Sequence, residues 1–318
     1  MSPGGTPARR ASPIPPAASS TRASARQRTG TSVATPTERR ALDVYISVDL
    51  EGVAGVVTRE QVMPAETDAY RRSCRLMTEE ANAAVAGAIA AGAQRIIVND
   101  SHARMTNIDC ELLDARAECS LGYPKPYYMM AGISPSFGAA LFVGYHGGAG
   151  SAPAILDHTY ASRVFRSVRL NGVRQTETTL NAALAGHFGV AVSLVTGDEA
   201  TCAEARTALG ADLPTVATKA AFGSSAAYSL HPTVARKRIE AAAREGIARV
   251  LAGHLVPFRV APPYELDCDL TTTLAADYCA TIPAVERPAG RTVRFAHDDY
   301  PTVFRALLTM AMLGGLAA

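Results

Sequence analysis

The stretch DVYISVDLEG (residues 43–52) decides the fold. Its positions 43–50 form a short apolar run rich in β-branched residues, and it closes on two acids and a glycine. A run this short, bounded by a turn residue, predicts a buried strand. Helical spacing follows over 68–91, where Leu76, Met77, Ala81, Ala84, Val85, Ala88 and Ile89 share a face and Gly92 ends the segment. Strands are then predicted at 95–100 (RIIVND), 140–146 (ALFVGYH) and 190–198 (VAVSLVTGD), and a hairpin arm at 165–172 turns at Asn171-Gly172. Further helices are expected at about 175–186, 199–209, 232–253 and 301–313, with one more strand near 291–296. Short apolar runs alternating with helices imply an α/β fold: a mostly parallel sheet with flanking helices and a smaller C-terminal α/β portion.

The chain has 318 residues with a formal charge of +2, but the charge is unevenly placed. Residues 1–40 hold seven Arg and only Glu38, whereas the remaining 278 residues carry 24 basic and 28 acidic groups. No basic stripe marks the folded part, which argues against a nucleic-acid partner. No stretch approaches the roughly 18 uninterrupted apolar residues of a membrane-spanning helix, so no membrane partner is expected. Six Cys are scattered without a C-x-x-C pair, as expected of incidental thiols in a reducing compartment. The front segment is Arg-, Ser-, Ala- and Pro-rich and reads as a disordered extension at 1–42. An Arg- and Ser-rich, acid-poor segment also describes an organelle transit peptide. It has no apolar core of an export signal, and a cytoplasmic location is expected. A catalytic domain at 43–215 and a smaller portion at 216–318 complete the expected organisation, with a boundary within 210–230.

Chemistry gathers at the strand exits. The first strand ends in Asp49-Leu50-Glu51-Gly52, the second in Asn99-Asp100-Ser101-His102 and the third in Tyr145-His146-Gly147-Gly148. In an open parallel sheet, ligands bind beyond the carboxyl ends of the strands, so three such exits converge on one pocket. Asp49 and Glu51 point to the same side if the extended geometry persists. Adjacent carboxylates repel unless one is protonated or a cation lies between them. Added imidazoles favour the cation, and mixed carboxylate and imidazole donors suit Zn²⁺, Mn²⁺ or Co²⁺. On the residues alone, Asp100 is the next ligand candidate, and Glu177 reads as part of an ordinary polar helix start.

Ser47-Val48-Asp49-Leu50-Glu51-Gly52 resembles the S-x-D-x-E-G signature of the D-aminopeptidase family, zinc peptidases of the dipeptide-transport-operon type. The resemblance continues through Met77-Thr78-Glu79-Glu80-Ala81-Asn82, Val98-Asn99-Asp100-Ser101-His102, Lys125-Pro126, Gly144-Tyr145-His146, Asp157-His158, and Glu177 with Leu180-Asn181. It covers essentially everything after residue 42, in order.

The resemblance implies a two-zinc centre per subunit, with Asp49 bridging and Glu51, His102, His146 and Glu177 completing the ligands. Asp100 becomes an orienter of a ligand imidazole. His158 matches the family's catalytic histidine, suited to proton transfer as an imidazole titrating near neutrality. The implied activity is hydrolysis of short peptides with N-terminal D-residues, in a homo-decamer or other closed homo-oligomer. One departure is Gly147-Gly148-Ala149-Gly150-Ser151-Ala152, where the family is less glycine-rich and carries an Arg. This stretch is expected to offer backbone N–H groups to a substrate carboxylate or oxyanion. It also motivates a rival reading, a zinc-dependent amidase acting on a non-peptide amide. A non-catalytic metal- or ligand-binding protein is the third. Bland roles are expected for His187 as a helix C-terminal residue, His231 before Pro232 as a helix start, and Tyr123, Tyr127 and Tyr128 as packing or pocket lining.

Overall fold

The computed structural model describes residues 42–64 and 67–317. The disordered extension expected at 1–42 therefore lies, apart from Leu42, outside the described residues.

β1 (Asp43–Val48) alternates as a strand covered on both faces must. Val44, Ile46 and Val48 enter one apolar layer, while Tyr45 enters the other. Full burial of each such aliphatic side chain contributes about 1.5–3 kcal/mol. The chain continues through the single turn α1 (Arg59–Val62) and the long helix α2 (Asp68–Ala90) into β2 (Arg95–Asp100) and the edge strand β3 (Ala117–Ser120). It then crosses back over β1 to β4 (Phe137–Tyr145). An excursion through β5 (Phe165–Leu170) and β6 (Val173–Arg174) leads to α3 (Glu177–His187) and β7 (Ala191–Asp198). α4 (Glu199–Leu209) precedes β8 (Thr215–Gly223), which reverses into the edge strand β9 (Ala226–Ser229). The remainder is α5 (Pro232–Leu251), β10 (Tyr264–Leu270), α6 (Thr273–Cys279), β11 (Glu286–Ala289), β12 (Thr292–His297) and α7 (Tyr300–Gly314).

Two sheets result. The larger has the order β3-β2-β1-β4-β7-β8-β9 and is parallel except for β8–β9. The smaller, β11-β12-β10-β5-β6, is antiparallel throughout. α2 and α5 cover one face of the larger sheet, where Met77, Ala81 and Ala84 meet Ile239 and Ala243. The opposite face packs on α3, and that layer is continuous with the smaller sheet and α7.

The order β2-β1-β4 makes β1/β4 the topological switch point, where the loops leaving adjacent strands diverge and open a crevice. Both loops cross tightly there. Gly52 N donates to Gly144 O at 2.8 Å, and a Cβ on Gly52 would lie 1.9 Å from Tyr145 O. Gly144 adopts φ +71°, and a Cβ there would lie 2.2 Å from Asp49 O. Only glycine permits this contact at either position.

The helices at 199–209 and the strand at 95–100 agree with expectation to the residue, and the Asn171-Gly172 turn joins β5 to β6. Five strands were not anticipated: β3, β8, β9, β10 and β11. The boundary expected within 210–230 falls on β8 and β9, which complete the larger sheet. The smaller sheet draws β5 and β6 from before that boundary, so each sheet takes strands from both portions. Residues 41–318 form one compact unit. α7 and the turn after it are long and apolar enough by length and composition to cross a membrane, although Thr302, Arg305 and Thr309 interrupt the apolar run. Here Tyr300, Val303, Phe304 and Leu307 are buried against α3 and the smaller sheet, which makes α7 a core helix.

Candidate metal centre

Four elements deliver the acids and imidazoles to the switch-point crevice. Asp49 and Glu51 follow β1, His102 follows β2, His146 follows β4, and Glu177 is the first residue of α3. All five are buried. α3 begins there because Thr176 caps it, its side chain accepting from Thr179 N at 3.2 Å. The positive end of the helix dipole favours a carboxylate at Glu177.

The five side chains divide into two sets that share Asp49. Its Oδ1 lies 3.2 Å from His102 Nδ1, which is also 3.0 Å from Glu51 Oε2. Its Oδ2 lies 3.4 Å from His146 Nε2, which is 3.5 Å from Glu177 Oε2. Each imidazole is aimed by its other nitrogen: His102 Nε2 contacts Val62 O at 2.6 Å and His146 Nδ1 contacts Gly147 O at 3.0 Å. This is how proteins usually orient a metal-binding histidine, through a hydrogen bond on the far side of the ring.

Charge and hydrogen bonding both call for cations at this point. Three buried carboxylates face one another, and burial together with the adjacent Glu51 pushes the Asp49 carboxyl up to about 7. Burial opposes ionisation of Glu51 as well, but the His102 and His146 charges hold its carboxyl well below the usual range. Two buried atoms, Glu51 Oε2 and His146 Nε2, make no aligned hydrogen bond among the described residues. Orphaned buried donors and acceptors are rare in folded proteins, and a missing ion is one of their standard causes. Two divalent ions would offset the three carboxylates and satisfy both atoms.

The family model described as Peptidase M55, D-aminopeptidase, matches residues 42–309. The D-aminopeptidase of Bacillus subtilis (strain 168) is 32% identical over 275 residues, spanning 86% of this chain and 97% of the relative. The solved structure of the Zn-dependent D-aminopeptidase DppA from Bacillus subtilis, described as a self-compartmentalizing protease, superposes with a TM-score of 0.80. It is 30% identical and covers 86% of this chain and 98% of that one. The chain belongs to the D-aminopeptidase family.

The five residues that the family resemblance implied as ligands lie together in the fold, with His158 beside them. The His158 ring stacks on His146, its Nδ1 contacts Leu156 O at 2.8 Å, and its Nε2 lies 3.7 Å from Glu177 Oε1. Burial and then the His146 charge lower its pKa. A cavity of about 690 Å³ opens over Asp49, Glu51, His102, His158 and Glu177, with Tyr128 and Tyr160 on its walls. Tyr127 packs in the core and Tyr123 is exposed. His187 ends α3, and His231 caps α5 ahead of Pro232, as expected.

Two expectations for this D-aminopeptidase site need correction. Asp100 orients no imidazole. Its carboxylate accepts from the backbone amides of Asn107, Ile108 and His102 and from Asn107 Nδ2, so it shapes the loop that carries His102. In the glycine-rich segment the amides of residues 148–151 are engaged within the protein and are not free for a substrate. Gly148 N is bound to Glu204, Ala149 N to Thr159, Gly150 N to Asp157 and Ser151 N to Gly148 O. Arg174 and Glu204 clamp the same segment through Ser151.

Sequence reasoning missed the residues behind the ligands. Ser47 Oγ lies 2.7 Å from Tyr145 Oη, which accepts from Asn181 Nδ2 at 2.9 Å; Tyr160 Oη donates to Asn181 Oδ1 at 2.6 Å. This buried chain ties β1, β4 and α3 together beneath Asp49, His146 and Glu177. Lys125 donates to Asn99 Oδ1 and Asp100 O, both at 2.8 Å, supporting the exit of β2. Their signal lay in the same motif stretches, but nothing in a linear pattern pairs Ser47 with Tyr145 or Asn181.

Proposed function

We propose that this protein is a zinc-dependent aminopeptidase acting on short peptides, with preference for an N-terminal D-residue. The observation that supports this most directly is the division of the site around Asp49, whose two oxygens face two separate acid–imidazole sets. Asp49 would bridge two zinc ions, with Glu51 and His102 on one and His146 and Glu177 on the other. When bound, the ions polarise a peptide carbonyl and activate water at neutral pH.

The chain's own residues supply the rest. Gly147 O orients the His146 ring through Nδ1, and the backbone amide of Tyr160 donates to Glu177 Oε1 and holds that carboxylate. His158, half-buried with Nε2 facing the cavity side of Glu177, carries the proton toward the leaving amine. Its lowered pKa leaves the imidazole neutral and able to accept a proton near pH 7. A cavity of this size admits a few residues and excludes folded protein. By the same reading the chain forms a closed homo-oligomer, the decamer of stacked five-membered rings, in the cytoplasm.

The test is elemental analysis of purified protein together with cleavage of D-Ala and L-Ala anilides, before and after chelation. Two zinc equivalents and chelator-sensitive turnover of the D-substrate are expected. Two equivalents without cleavage of either anilide would leave the metal centre standing and remove the peptidase assignment. Absence of zinc after reconstitution would remove both.

A further inference from the structure

Among the described residues Lys219 is a buried cation without a direct anionic partner. It lies on β8 at 2% exposure, and its ammonium donates to the carbonyls of Glu51 (2.6 Å), Val53 (2.7 Å) and Val56. Three acceptors use all three N–H bonds of a protonated amine. The carboxylates of Glu80, Asp198 and Glu51 act on it only through space. Withdrawing a lysine charge from water is costly, and the usual remedy is a paired carboxylate. Here the compensation comes from convergent backbone carbonyls, the arrangement by which proteins hold a bare monovalent cation.

All three carbonyls belong to one loop, residues 51–56. Other contacts also grip it: Thr218 Oγ1 donates to Gly52 O at 2.6 Å, Ala54 N to Glu80 Oε1 at 2.9 Å, Gly52 N to Gly144 O at 2.8 Å and Gly55 N to Ser229 Oγ at 2.8 Å. That loop carries Glu51 at its start and leads into α1, whose last residue, Val62, takes His102 Nε2 on its carbonyl. Both protein groups of the Glu51–His102 set thus depend on where this segment lies. A neutral side chain of the same length could fill the space but could not draw three carbonyl dipoles toward one point.

We infer that Lys219 is a positioning residue of the metal centre: a tethered cation in a three-carbonyl cage that holds the 51–56 loop so that Glu51 meets His102. It acts through backbone alone and touches neither substrate nor the Glu51 carboxylate. The inference rests on the metal-centre reading proposed above.

The test compares full-length wild type with Lys219→Met, which keeps length and loses charge, and Lys219→Ala, which leaves room for a free amine. Two readouts are taken: zinc affinity by competition with a chromogenic chelator, and hydrogen exchange of amides 51–56 in the metal-free protein. In Lys219→Met, one zinc equivalent should weaken about 10–100-fold while the other keeps wild-type affinity. Exchange in the 51–56 loop should accelerate by a similar factor. In Lys219→Ala both properties should recover with methylammonium and not with tetramethylammonium, which is too large and has no N–H. Wild-type zinc affinity at both positions and unchanged exchange in folded Lys219→Met would overturn the inference. So would variants that stay unfolded with and without methylammonium, because the role would then be one of fold alone. The exchange readout needs no metal, so a wild type that binds no zinc would sink the proposed function and still decide this inference.

Discussion

The imidazoles of His146 and His158 lie face to face, ring centroids 4.0 Å apart and planes 12° from parallel. Yet they differ in attachment. His146 Nε2 faces Asp49 and Glu177, whereas His158 Nε2 makes a longer approach to Glu177 Oε1 and its Nδ1 contacts Leu156 O. Replacing His158→Gln should therefore leave both zinc equivalents in place and lower kcat by about 10²–10⁴-fold, the usual range for a proton-transfer group. Zinc analysis alongside steady-state kinetics checks both halves. Wild-type kcat would take the proton-transfer role away from His158.

Asp49 is shared by the two sets, so its loss should be felt at both. Asp49→Asn should reduce bound zinc to below one equivalent, whereas Glu51→Gln should release one ion and retain the other. Chelation of the wild type should also lower Tm, because an ion bound only by the native state stabilises it by an amount that grows with the logarithm of its concentration over its Kd. Differential scanning calorimetry with and without chelator reads this, and an unchanged Tm would mean no tightly bound ion.

The crossing of the β1 and β4 loops leaves no room for a side chain at Gly52. Gly52→Ala should destabilise the protein by roughly 3–5 kcal/mol, since the obstacle is the Tyr145 carbonyl and no rotamer can yield. Gly150, with φ +85° and open space around its would-be Cβ, is the control. Gly150→Ala should cost only about 1–2 kcal/mol, the backbone strain alone. Urea unfolding of the two variants gives the comparison, and equal losses would mean the crossing is looser than its geometry implies.

Glu80, which is not one of the five candidate metal ligands, confers a pH dependence on stability. Burial pushes its carboxyl from 4.5 up to about 7, and its Oε2 has no hydrogen-bond partner among the described residues. A raised carboxyl pKa means that the ionised form opposes folding. The penalty is absent below about pH 4.5, grows as pH rises through that window, and is complete above about 7. Glu80→Gln should therefore stabilise the metal-free protein at pH 8, by on the order of 2–3 kcal/mol, and by much less at pH 5. Denaturant titrations at both pH values test the sign. An equal effect at both would remove ionisation as the cause.

Much of the ligand set was legible because chemistry sits where apolar runs stop. Asp49, Glu51, His102 and His146 each follow a Val- and Ile-rich or aromatic strand, and that position in a parallel sheet is already a statement about location. Glu177 was not legible in this way. It stands in a polar stretch, and it reaches the crevice because the β5–β6 hairpin and the Thr176 cap start α3 at that point. Asp100 shows the converse: a carboxylate in the right place by sequence, fully engaged by backbone amides of its own loop. β8 escaped notice since TVATKAAFG reads as small and polar, and a lysine inside it argues against burial. β10 carries a real alternation, with Leu266, Cys268 and Leu270 inward, masked by three outward acids.

By itself the sequence determined the order of the longer helices and of the central strands, the parallel sheet and the strand exits that carry the acids and imidazoles. These follow from local periodicity and from side chains whose burial is encoded a few residues at a time. The tertiary structure alone decided how those exits meet: that Asp49 faces two sets at once, that His158 stacks on His146, and that Lys219 grips the Glu51 loop. Such contacts join residues from 12 to 168 positions apart. They depend on which strands become neighbours and on how closely two glycine-bearing loops can cross, and no linear spacing encodes either.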